Sequence, residues 1–156
     1  MLLGLWGCTG PLVDAPATLP SAMPPGAPIT QISIERDCFG CAGGSLLVLR
    51  ADGSAQRVQR GHARHGALDV VTHGAGRAAD FAALARFVQV QQFFAMADEY
   101  QDPDLRDGPW TLISVTRGDQ EKRVFKRDEA GPDALKLLQS RIDAVAAGIT
   151  FKSAPP

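Results

Sequence analysis

The chain opens its regular part on a period of two. From residue 30 to residue 35, Ile32 and Ile34 fall on one side while Gln31, Ser33 and Glu35 fall on the other. That alternation marks a strand with one buried face. Residues 45–51 form a more apolar run, Ser-Leu-Leu-Val-Leu-Arg-Ala, predicted as a central strand. Asp52-Gly53 then predicts a hairpin turn. A third strand follows over 55–60, its Arg57, Gln59 and Arg60 indicating a solvated side. Val70 and Val71 mark a shorter fourth strand over 68–72.

The period then lengthens. Phe81, Leu84, Ala85 and Val88 recur at the spacing of one helical face, predicting a helix over 78–90. Phe93-Phe94-Ala95-Met96 either continues it or opens a short second one. Pro103, Gly108 and Pro109 predict a loop over 102–109. In the strand at 110–117, Thr111, Ile113 and Val115 face one way, and Gly118-Asp119 turns the chain into a strand over 122–126. Gly131-Pro132 opens the last helix, since proline suits the first helical position. Leu135, Leu138, Ile142 and Val145 give its buried face, Gly148 ends it, and Phe151 packs back.

The order is β-β-β-(β)-α-β-β-α. Short connections imply antiparallel pairing, and two amphipathic helices need one apolar surface. The expected class is α+β, an antiparallel sheet of about five strands with two helices packed on one face.

Residues 9–28 follow neither period. They carry Pro11, Pro16, Pro20, Pro24, Pro25 and Pro28 among many alanines, a composition of extended, semi-rigid chain. The expected organisation is a signal-like segment at 1–8, a tether at 9–28, one domain at 29–152 and a frayed tail at 153–156. Leu5-Trp6-Gly7-Cys8 resembles a bacterial lipobox. The resemblance implies cleavage before Cys8 and lipidation of its sulfur, so that acyl chains anchor the protein. On that reading the domain is a periplasm-facing lipoprotein of the bacterial envelope; without the anchor it is secreted or periplasmic.

Charge narrows the partners. Sixteen basic residues against seventeen acidic leave a net of -1, without the basic face of a nucleic-acid binder. No run of eighteen apolar residues marks a spanning helix, so the membrane is met only through a lipid on Cys8.

The candidate chemistry centres on Cys38-Phe39-Gly40-Cys41. Four readings stand. A structural disulfide suits an exported domain. A zinc site would need two further ligands, which His62 and His65 could supply. A redox dithiol wants its first cysteine at a helix N-terminus, whereas glycines and a strand follow here. Free thiols are the fourth. His62, His65 and His73, with Arg57, Arg60, Arg64 and Arg77, suggest an anion site or a charged, aggregation-resistant edge. Asp98, Glu99, Asp102, Asp104 and Asp107 form an acidic cluster around Tyr100 without the spacing of a calcium loop. No nucleophile elbow, phosphate loop or dinucleotide fingerprint occurs.

The run Ile32-Ser33-Ile34-Glu35-Arg36-Asp37-Cys38-Phe39-Gly40-Cys41, followed by a strand ending in Asp52-Gly53, resembles the uncharacterised bacterial domain-of-unknown-function family 6438. The likeness continues through Phe81-Ala82-Ala83-Leu84, Phe93-Phe94 to Tyr100, Asp107 to Pro109, and Gly131-Pro132 to Ile142-Asp143. The chain departs from the pattern in a closer cysteine spacing and in Ala42, where the family commonly has proline. The resemblance implies an exported α+β domain and brings no established activity or cofactor with it. The expected function is a non-catalytic, membrane-tethered binding or interaction module, whose partner is an envelope protein or a small ligand. The alternatives are a thiol-redox or metal-binding protein using Cys38 and Cys41, and a small hydrolase with an unrecognised site.

Overall fold

A computed structural model describes residues 26–38, 41, 43–62, 65–104 and 107–153. Cys8, the segment 1–8, most of the tether, Arg64 and the last three residues lie outside the described residues. The described end of the tether runs beside the later hairpin, where the Gly118 N–H donates to the Pro28 carbonyl at 3.4 Å.

The strands are β1 (Ile29–Cys38), β2 (Ser45–Arg50), β3 (Ser54–Gln59), β4 (Val70–Ala75), β5 (Glu99–Tyr100), β6 (Pro109–Arg117), β7 (Gln120–Arg127) and β8 (Lys152–Ser153). The helices are α1 (Ala78–Val90) and α2 (Asp133–Ala147). The strands form one sheet in the order β5-β7-β6-β1-β2-β3-β4-β8. β1 to β4 are laid down as neighbours. α1 then carries the chain to the opposite edge, where β5 pairs with β7, and α2 brings it back to β8 beside β4.

The class is α+β as expected, with two corrections to the sheet. It has eight strands rather than about five, and it is mixed, because β5 runs parallel to β7. The unforeseen strands β5 and β8 are two residues each, too short to show a period. The chain ends α1 with Gln92 in the left-handed region (φ 52°), so Phe93–Ala95 is a separate 3-10 turn. Pro132 caps α2 rather than opening its first turn.

Strand alternation decides the layering. Ile32 and Ile34 of β1 stand opposite Leu49 and Leu47 of β2, and opposite Val115 and Ile113 of β6. These residues form a single core with Phe81, Leu84 and Val88 of α1, with Leu135, Leu138 and Ile142 of α2, and with Phe93. Both helices therefore cover the same sheet face. Burying each large apolar side chain contributes about 1.5–3 kcal/mol relative to exposure.

The two ends of the strands differ. At one end lie tight hairpins. Gly53 (φ 86°) takes a left-handed turn, and its carbonyl accepts from the Gly76 N–H at 2.8 Å. Gly118 (φ 60°) opens the two-residue β6–β7 turn, a position that favours glycine. At the other end β1, β2, β3 and β6 meet longer loops, and the two domain cysteines are there.

Candidate functional site

Register places the site. Cys38 ends β1 opposite Pro109 of β6, and its neighbour Asp37 stands opposite Trp110. The Cys41 N–H returns to the Cys38 carbonyl at 3.3 Å, closing a tight turn. This brings the two sulfurs to disulfide-bonding distance, with the Cα atoms 5.4 Å apart. The Asp37 carboxylate accepts from the Cys38 N–H at 2.7 Å. Gly44 lies directly beneath it: a Cβ there would come within 2.6 Å of the Asp37 carboxyl carbon. The Gly44 carbonyl accepts from the Arg60 N–H at 2.8 Å and from the Gln59 side chain at 3.0 Å.

Three hollows open around this turn. One, of about 300 Å³, lies between the cysteines and β6 and is lined by Arg36, Asp37, Cys38, Cys41, Gln59, Pro109 and Trp110. A second, of about 240 Å³, lies on the other side of Cys38 and Cys41 and reaches Arg60 and His62. A third, of about 280 Å³, runs between the same strand ends and α2, lined by Arg36, Ser45, Arg57, Gln59 and Asp143. Trp110 and Phe125 are ring neighbours at 5.9 Å on the sheet face away from the helices, with Arg127 over Phe125 at 5.7 Å. A shallow groove of about 290 Å³ also runs along the outside of the two helices, past Arg77, Asp80 and Arg141.

The expected histidine and arginine cluster is divided by its partners. Arg60 bonds Glu35 at 3.0 Å and Asp69 at 3.3 Å, interactions that hold its pKa above the usual guanidinium value. Asp69 is held below the usual carboxyl value, first by the Gly61 N–H at 2.8 Å and then by Arg60. Arg77 is bound to Asp80 at 2.8 Å. Arg57 differs, since its guanidinium lies 4.1 Å from the Phe151 ring centroid. His73 sits in β4, opposite Gln56 of β3. His62 and His65 have ring centroids 4.4 Å apart, and the His62 Nδ1 is buried without a hydrogen-bond partner.

His62 shares a hollow with Cys38 and Cys41, while His65 is exposed at the following turn. Among the described residues, no three His, Cys, Asp or Glu side chains are placed to share a metal ion. Within the acidic cluster, Asp98 forms an ion pair with Lys122, and the Asp102 carboxylate accepts from the Asp104 N–H at 2.9 Å. The first ties the segment before β5 to β7, and the second closes a local turn.

Sequence reasoning did not single out Arg36, Ser45 or Trp110 as site residues. Only strand register brings these three, from β1, β2 and β6, to one end of the sheet. Trp110 carried the one available signal, an aromatic at the start of a strand next to a Pro/Gly loop.

No helix among the described residues is long and apolar enough to cross a membrane. No family model matches the chain. No curated protein matches it either.

Proposed function

We propose that this chain is a non-catalytic binding or interaction module of the bacterial cell envelope, tethered through a lipid on Cys8, with the loop end of its sheet as the recognition surface. The observation that carries the reading is the hollow between Cys38, Cys41 and Trp110. It is open and shallow and rests on regular strands. Its rim combines an aromatic side chain with backbone of Gly43 and Gly44, a mixture typical of recognition sites. A Cys38–Cys41 disulfide would fasten the turn that forms one wall. The sulfurs stand beside the Asp37 carboxylate, and the nearby guanidiniums of Arg36 and Arg60 are already paired with Asp143, Glu35 and Asp69 rather than placed to stabilise a thiolate. That favours a structural bond over a redox dithiol. The likeness to family 6438 agrees with an exported domain.

The test has two arms in a bacterial host. Cells given a labelled fatty acid should transfer label to the wild-type protein and not to Cys8→Ser, which should leave the membrane fraction. A photocrosslinking residue at position 110 should give discrete adducts in intact cells, while one at position 119 should not. Unlabelled wild-type protein would remove the tether. Adducts at 119 alone would move recognition away from the loop end.

A further inference from the structure

We propose that the hollow between β1–β3 and α2 is a binding site for a small oxyanion, a carboxylate or a phosphate group, gripped by the guanidinium of Arg57. Its failure would leave the module reading intact, because the tether and the Trp110 surface do not depend on it.

Arg60 and Arg77 are bound to carboxylates, so their N–H groups are engaged. Arg57 is held differently, against the ring of Phe151 at 4.1 Å. No described residue accepts a hydrogen bond from its side chain. Contact with an aromatic ring orients a guanidinium while leaving its N–H fork for an acceptor, and that fork matches the two oxygens of a carboxylate or phosphate.

Arg57 opens into a hollow of about 280 Å³, shared with Arg36, Ser45, Gln59 and Asp143. The Ser45 hydroxyl also lacks a partner among the described residues, and it supplies a neutral donor beside the guanidinium. Arg36 is anchored by Asp143 at 2.9 Å, which fixes the opposite wall. Two guanidiniums against one carboxylate leave the hollow positive. Ile34 and Leu47 form its apolar floor, which suits the short aliphatic body of a small acid. Register explains the assembly: Leu47 stands opposite Ile34 in β1 and Arg57 in β3, so these residues face the helix side together.

The experiment is an NMR titration of the folded chain with inorganic phosphate and, separately, with acetate, at constant ionic strength set by sodium chloride. Shifts should concentrate on the Arg57 side chain and on the backbone of Ser45 and Gln59, and should saturate. Arg57→Ala should abolish them and Arg77→Ala should leave them unchanged. Asp143→Asn should tighten binding several-fold by removing the competing negative charge, an outcome that partial unfolding would not produce. If Arg57→Ala does not fold, Arg57→Lys decides. It keeps the charge and loses the fork, and affinity should fall roughly tenfold. Saturation by phosphate alone or by acetate alone would identify which oxyanion the site accepts. A uniform, non-saturating drift over all exposed cations, or equal losses in Arg57→Ala and Arg77→Ala, would overturn the site.

Discussion

At one end of the sheet β2 passes to β3 through three residues and β6 to β7 through two; at the other, β1 reaches β2 through six and β3 reaches β4 through ten. The hairpin end has closed around its glycines. The space there between Leu49, Gly53, Gly76 and Phe81 is about 10 Å³, too small to admit a ligand. The loop end retains hollows of about 240 to 300 Å³. The same strands thus serve two purposes. Tight turns fix register and seal the core, while longer connections leave the strand ends uncovered, and binding residues concentrate where loops stand on a rigid scaffold.

The largest effect that would test this division lies in the core at the sealed end. Phe81→Ala should destabilise the fold by about 3–5 kcal/mol in denaturant unfolding, the range for truncating a buried phenylalanine. Trp110→Ala, at the half-buried loop end, should lower stability far less while weakening binding at the hollow it lines. Equal losses in the two variants would erase the contrast. Next comes Gly53→Ala. Its Cβ would meet the Gly76 carbonyl at 2.7 Å, with φ at 86°, so a loss of about 2–3 kcal/mol is expected. At the loop end, replacing Cys38 and Cys41 together by serine should cost about 2 kcal/mol if they are bonded, the entropic value for so short a ring. That double variant should also lose binding at the Trp110 hollow.

The smallest expected effect concerns acid, and it sets one carboxylate at each end against the other. Asp52 at the hairpin end is held below the usual 3.8, chiefly by hydrogen bonds from Ser54. Asp69 at the loop end is held below 3.8, chiefly by the Gly61 N–H. A depressed carboxyl contributes stability that is present above the unfolded value and lost as pH falls through the folded one. Asp52→Asn and Asp69→Asn should therefore each lower the melting temperature near neutrality, and the difference from wild type should shrink as pH falls below the usual 3.8 and through the depressed folded value. A pH-dependent difference for Asp52 alone would mean that the Gly61 contact does not persist in solution.

Much of the fold was legible because it was written in long periods. The ten-residue β1 and the faces of α1 and α2 announce themselves at Ile32, Ile34, Phe81, Leu84, Leu138 and Ile142. Both hairpins were visible in Asp52-Gly53 and Gly118-Asp119. β5 and β8 were not, since two residues of strand follow from where a helix delivers the chain and not from local pattern. The site was legible only in part. Spacing drew attention to Cys38, Cys41 and His62, but Arg36 and Asp143 are 107 residues apart, and only the crossing of α2 over the sheet joins them. Strand alternation, by contrast, separates Arg57 from Arg60. They are near neighbours in sequence, yet one faces the helices and Phe151 while the other pairs with Glu35 and Asp69.

A loop end built before any partner arrives depends most directly on the state of Cys38 and Cys41. The protein should be purified without reductant, denatured in iodoacetamide, digested and weighed. After tryptic digestion, the single peptide that carries both Cys38 and Cys41 should be unalkylated and two hydrogens lighter than its reduced form, with alkylation appearing only after reduction. Carbamidomethyl groups on both cysteines without prior reduction would contradict it, because the turn that walls the two hollows beside the cysteines would then have no covalent fastening.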